Sequence, residues 1–90
     1  MSNEFIGQMK RALLSMRTVL ETAGGTAQDL TRLTWYITAK RDYAAKQKQV
    51  SDVYRKILGS TFPTMTMVVF AGLVEDQALV EIEATAVFEI

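Results

Sequence analysis

The stretch FPTMTMVVFAGLVEDQALVEIEATAV, residues 62–87, decides the fold of this chain. Pro63 holds Phe62 in an extended conformation, because the proline ring clashes with a helical residue before it. Thr64 to Ala71 is rich in β-branched residues and methionine, the composition of a strand. Gly72 to Gln77, with Glu75 and Asp76, reads as a short acidic turn. Ala78 to Glu89 then alternates with a period of two. Val80, Ile82, Ala84, Ala86 and Phe88 fall on one face, and Leu79, Glu81, Glu83, Thr85, Val87 and Glu89 on the other.

Upstream of these strands the hydrophobic period changes. Ile6, Met9, Leu13, Met16 and Leu20 recur at spacings of three and four, which predicts a helix over residues 3–23. Asn3 is placed to cap it, and Gly24-Gly25 to end it through a left-handed residue. After a turn at residues 26–30, Leu33, Trp35 and Ile37 alternate with Thr34, Tyr36 and Thr38 to give a strand. A second helix follows over residues 41–58, with Tyr43, Val50, Tyr54 and Ile57 inward and Lys46, Lys48 and Lys56 outward, and Gly59 as its stop. No linker, repeat or low-complexity segment interrupts the order αβαββ, so residues 1–90 read as a single domain.

Two helices can cover only one face of three strands. The expectation is an α+β two-layer sandwich with both helices on one side. The other side keeps Leu79, Val87, Met65 and Met67, and an uncovered apolar face on so small a domain points to contact with further copies of the chain.

The inventory of side chains excludes several chemistries. The chain has 90 residues, no cysteine and no histidine. Disulfides, thiolate nucleophiles and cysteine or histidine metal ligation are therefore ruled out, together with the usual general base near neutral pH. No cofactor and no metal site is expected. The longest apolar stretch, residues 67–74, falls short of the roughly 20 residues that span a bilayer, and residues 1–4 have no signal-peptide character. The chain reads as cytoplasmic, without a membrane partner.

Charge is balanced in total and divided along the chain. Residues 1–59 carry ten basic and five acidic side chains, and residues 60–90 carry five acidic and none basic. Such a division suits either complementary contacts between copies or a solvated helical layer over a sheet with an acidic edge. Lys40, Arg41, Lys46 and Lys48 form the one basic cluster, but Tyr43 beside it belongs to the buried stripe, leaving no exposed aromatic for base stacking. A nucleic-acid partner is not expected from the residues alone.

The C-terminal stretch, with Val19-Leu20-Glu21-Thr22-Ala23-Gly24-Gly25, Asp29 to Ile37 and Asp42-Tyr43, resembles the Rid family, the YjgF-like reactive-intermediate deaminases also described as L-PSP endoribonuclease-like. The resemblance runs through nearly the whole chain in the right order. It implies a chorismate-mutase-like fold, a homotrimer with ligand clefts between subunits, and hydrolysis of small imine or enamine metabolites; some members are associated with RNA cleavage. It also assigns residues. Met65 stands where the family has an arginine that holds the substrate carboxylate through a charged fork, which a thioether cannot replace. Met67 stands where cysteine is frequent, and Ser51 lies near a cleft-facing asparagine. Glu81 matches the glutamate that activates water. The N-terminal strands that the family places before the first helix have no counterpart here. Weak or lost deaminase activity on carboxylate substrates is the expectation.

Each of these residues has a plainer role open to it. Glu81 and Glu83 share a face at a separation of roughly 6–7 Å along the strand. One is a candidate base, or both pair with an arginine such as Arg32 or Arg17 of a neighbouring copy. Met65 and Met67 line an adaptable pocket or simply pack an interface. Tyr36 reaches a cleft with its hydroxyl or satisfies an interface hydrogen bond. Gly24-Gly25 follows a helix instead of a strand, so it is no phosphate loop. Three functions remain open: an imine or enamine deaminase, a non-catalytic binding or assembly module, and an RNA-acting protein.

Overall fold

A computed structural model describes residues 3–38, 40–60, 62–70 and 78–89. The elements are α1 (Asn3–Thr22), a 3-10 turn (Ala27–Asp29), β1 (Leu30–Ile37), α2 (Lys40–Ala45), α3 (Gln47–Leu58), β2 (Thr64–Val69) and β3 (Val80–Ala86). The order is the αβαββ expected, with one helix divided in two. The acidic turn expected over residues 72–77 and the capping side chain of Asn3 lie outside the described residues.

The helix α1 buries Phe5, Met9, Leu13 and Leu20, the i, i+4 spacing of one helical face. Ile6 and Met16 flank this stripe and pack against it half-buried. Gly24, at φ +101°, supplies the left-handed stop. The Gly24 N–H donates to the Glu21 carbonyl at 3.0 Å, and the Gly25 N–H to that of Leu20 at 3.0 Å. Gly25 has a further constraint: a Cβ there would meet Leu20 Cδ1 at 2.6 Å and Phe88 Cε1 at 2.8 Å. Asp29 then ties the 3-10 turn, accepting from the Thr26 N–H at 2.8 Å.

The sheet has the order β2-β1-β3. β2 pairs with β1 in parallel and β3 with β1 antiparallel. The two strands of the C-terminal stretch therefore do not pair with each other, and β1 lies between them. A crossover through α2 and α3 makes the parallel pair, as a parallel connection requires. A register shift between Leu30 and Arg32 on β1 is bridged by the Thr31 hydroxyl, which donates to the Thr85 carbonyl at 3.2 Å.

Leu33, Trp35 and Ile37 face the helices, with Val80, Ile82 and Ala84 beside them. The register Leu33↔Met65, Trp35↔Met67 and Ile37↔Val69 puts those three β2 residues on the same side. This corrects the expectation that Met65 and Met67 face away from the helices. The open face instead presents Thr34, Tyr36, Thr66, Val68, Glu81, Glu83 and Val87, a surface more polar than expected, and Leu79 packs against the core.

The second helix is interrupted at Lys46, which leaves helical geometry at φ −122°, ψ 27°. No glycine or proline marks that break. Val50, Tyr54, Ile57 and Leu58 are the buried residues of α3, and Gly59, at φ +69°, ends it. Arg17 of α1 reaches across and donates from Nη1 to the Ile57 carbonyl at 2.9 Å. It satisfies one of the carbonyls left free at a helix C-terminus and locks α1 to α3.

Candidate functional site

β2 is the last strand on its side of the sheet, and α3 crosses beside it without closing over it. The space between them is a cleft of about 380 Å³. Met65 and Met67 form one wall from β2, and Gln47, Val50, Ser51 and Tyr54 form the other from successive turns of α3. Trp35 of β1 is the floor; Tyr43 of α2 and Phe62, just before β2, close the ends. The Tyr54 and Phe62 rings stack at 5.4 Å between centroids and 17° between planes.

The lining is apolar and aromatic, with amide, hydroxyl and phenol groups at its margin. Burial pushes the Tyr54 phenol above its usual range, which keeps it a neutral donor. The Trp35 indole N–H is buried without a hydrogen-bond partner, a desolvation cost of about 1–3 kcal/mol. No basic residue lines the cleft among those described, so a carboxylate would enter it without a counter-charge. Thioethers and aromatic rings suit a small neutral ligand with an apolar or planar body.

Three of the residues singled out in the sequence, Met65, Met67 and Ser51, thus meet in this cleft. Glu81 and Tyr36 do not join them within one chain. Tyr36 pairs in register with Glu81 on the open face of the sheet, and its hydroxyl donates to Glu83 Oε1 at 3.3 Å. The sheet itself separates these groups from the cleft. The Glu83 charge, with smaller contributions from burial and the hydrogen bond, raises the Tyr36 pKa. Arg17, offered above as a partner for the glutamates, is committed to the end of α3.

Tyr43, Gln47, Tyr54 and Phe62 were not singled out as site residues. Tyr43 and Tyr54 carry a helical period, which is equally the signature of a core stripe. Their role at the cleft follows from β2 leaving α3 partly uncovered, a tertiary fact. Among the described residues no cluster of acidic side chains could hold a metal ion, and no helix is long and apolar enough to cross a membrane.

Comparison with known proteins supplies the context. Residues 1–88 match the family model described as Endoribonuclease L-PSP. The fold is similar to that of the Escherichia coli YjgF gene product, at 26% identity and a TM-score of 0.76, covering 90% of this chain and 62% of the other. It is similar to E. coli TdcF, solved with bound serine, at 27% identity and a TM-score of 0.76, over 90% of this chain and 62% of that one. A YjgF-family member from Mycobacterium tuberculosis is 31% identical at a TM-score of 0.70, over 87% and 63% of the two chains. This chain spans about three fifths of the length of these structures. Its α+β architecture is the chorismate-mutase-like arrangement of those proteins.

Proposed function

The chain belongs to the Endoribonuclease L-PSP family, whose solved members include YjgF and Rid proteins, and from that premise we propose that it is a homotrimeric binder of small, neutral imine- or enamine-type metabolites. The carrying observation is the cleft between β2 and α3, which Met65 lines and where no described lining residue is cationic; the family resemblance implies an arginine at that position. TdcF is a relative solved with serine, an amino acid with a carboxylate. The Met65 thioether offers no counter-charge to such a group, so the preference here moves to uncharged ligands.

Hydrolysis, where it occurs, is the slow addition of water to the C=N carbon. The C–N bond then breaks, ammonia leaves, and a carbonyl compound remains. Glu81 is the group assigned to orient the water. It faces away from the cleft of its own chain, so it acts on the cleft of a neighbouring copy. Binding without turnover is the second reading, favoured by that same separation of Glu81 from Met65.

The test is a panel of imines generated in situ, half neutral and half bearing a carboxylate, followed by ammonia release, with calorimetric binding of the matching stable carbonyl compounds. Neutral members bind in preference, any ammonia release above buffer disappears in Glu81→Gln, and binding survives that substitution. Preferential binding of the carboxylates, or no binding at all, rejects the proposal.

A further inference from the structure

β1 is the middle strand of the sheet, and Trp35 projects from it toward the helices as the floor of the cleft. The residue is 3% exposed. Its indole Nε1 is sealed from solvent and has no hydrogen-bond partner among the described residues. Buried donors are almost always paired, because the water they gave up must be replaced. The surroundings of Trp35 explain why this one is not. In register it meets Met67 on β2 and Ile82 on β3, and Leu33 and Ile37 flank it on the same face of β1. None of those side chains carries an oxygen or a nitrogen, and the Met67 thioether is a weak acceptor. The amide of Gln47 and the hydroxyl of Ser51 belong to the opposite wall, on α3.

We propose that the Trp35 indole N–H is the specificity-determining contact of this cleft, donating to the nitrogen of a C=N group or the oxygen of a C=O group on the ligand. This rests on the reading of the cleft as a ligand site and deepens it, fixing the chemistry of one end of the ligand and its direction of entry. The acceptor end goes to the floor. The apolar body lies between Met65 and Phe62, which are 43% and 62% exposed and so form the mouth. Met67, directly across from Trp35, is the side chain that swings aside to admit the acceptor. An unbranched thioether with three rotatable bonds does so easily, whereas a β-branched residue at that position would be stiff.

One neutral donor in an apolar site selects among ligand classes. A hydrocarbon enters but leaves the indole N–H unpaired. A carboxylate accepts the bond but buries a full charge where no described lining residue is cationic, and its desolvation outweighs one hydrogen bond. Neutral imines and carbonyl compounds meet both conditions. The same donor fits the nitrogen of an imine and the oxygen of the carbonyl compound that its hydrolysis leaves, so both lie in the cleft in one orientation.

The chain has one tryptophan, so its indole N–H gives a single cross-peak in a proton–nitrogen correlation spectrum. Acetophenone is the probe, and α-methylstyrene, with CH2 in place of the carbonyl oxygen, is its isostere. Methyl resonances of Met65 and Met67 locate both in the cleft. Acetophenone binds about tenfold more tightly, the effect of one hydrogen bond to an otherwise unpaired donor. It also moves the indole proton further downfield than the hydrocarbon does. Replacing Trp35 with benzothienylalanine, which keeps the ring shape and puts sulfur in place of the N–H, abolishes the preference. The same replacement raises the melting temperature of the free protein, because a buried unpaired donor is gone. A residue that only filled space would change neither. Equal affinities in the wild type, or a preference that survives the replacement, overturn the donor role and leave the cleft as a ligand site. Binding of neither probe overturns the cleft reading as well. An indole proton already far downfield in the free protein and unmoved by acetophenone would show that a neighbouring copy holds the N–H, which also overturns the proposal.

Discussion

The Tyr36 hydroxyl donates to Glu83 Oε1 at 3.3 Å across the antiparallel β1–β3 pair, on the face of the sheet away from the helices. The phenol must stay protonated to donate, and the neighbouring carboxylate opposes formation of a phenolate.

Tyr36 therefore ionises above the usual 10.0. A tyrosine whose pKa is raised in the folded state binds its proton more tightly there than in the unfolded chain. Its contribution is complete below pH 10 and is lost as pH rises through the folded value. Replacing Glu83 with glutamine removes the largest cause, the charge, and Tyr36 titrates closer to 10. Ring-carbon NMR of tyrosine through an alkaline titration reads the shift, and an unmoved Tyr36 would show that Glu83 does not act on it.

Two glycines respond in opposite directions to the same change. A methyl group at Gly25 meets Leu20 and Phe88 within 3 Å, so Gly25→Ala costs about 1–3 kcal/mol through overpacking. Gly7 lies within α1, where a Cβ would come no nearer than 3.6 Å to Arg11. Gly7→Ala stabilises by about 0.5–1 kcal/mol through the lower entropy of the unfolded chain. Urea midpoints measure both; equal signs would contradict the packing described around Gly25.

Arg17 joins α1 to the end of α3 through a single carbonyl, that of Ile57. Arg17→Met keeps most of the aliphatic stem and removes the bond, with an expected loss of about 1–2 kcal/mol. The denaturant midpoint falls with an unchanged slope if the native fold is preserved. A midpoint equal to wild type would mean that the charged hydrogen bond gains nothing over its desolvation.

Met65→Arg places a fork-shaped cation on the cleft wall. Charge-assisted hydrogen bonds contribute about 1.5–3 kcal/mol, so small carboxylates such as serine gain roughly tenfold or more in affinity. Calorimetry with the variant and wild type decides this. Unchanged affinity would show that the wall formed by β2 does not face a bound carboxylate.

Local pattern carried much of this protein. The period of α1, the glycine stops at Gly24 and Gly59, and the alternation of β1 and β3 are visible because each residue there interacts within a few positions of itself. The break at Lys46 was not visible, since lysine is a sound helix former and the interruption has no local punctuation. Strand pairing was not visible either. β2 and β3 are consecutive along the chain, yet β1 lies between them in the sheet.

The sequence by itself determined the order of elements and the family, because periodicity and residue identity are local quantities. The tertiary structure decided which way Met65 and Met67 face, since that depends on their register with Leu33 and Trp35, more than thirty positions earlier. The same long-range register put Glu81 and Tyr36 on the opposite side of the sheet from the cleft. A strand has two faces of equal period, and only its partners determine which one meets the helices.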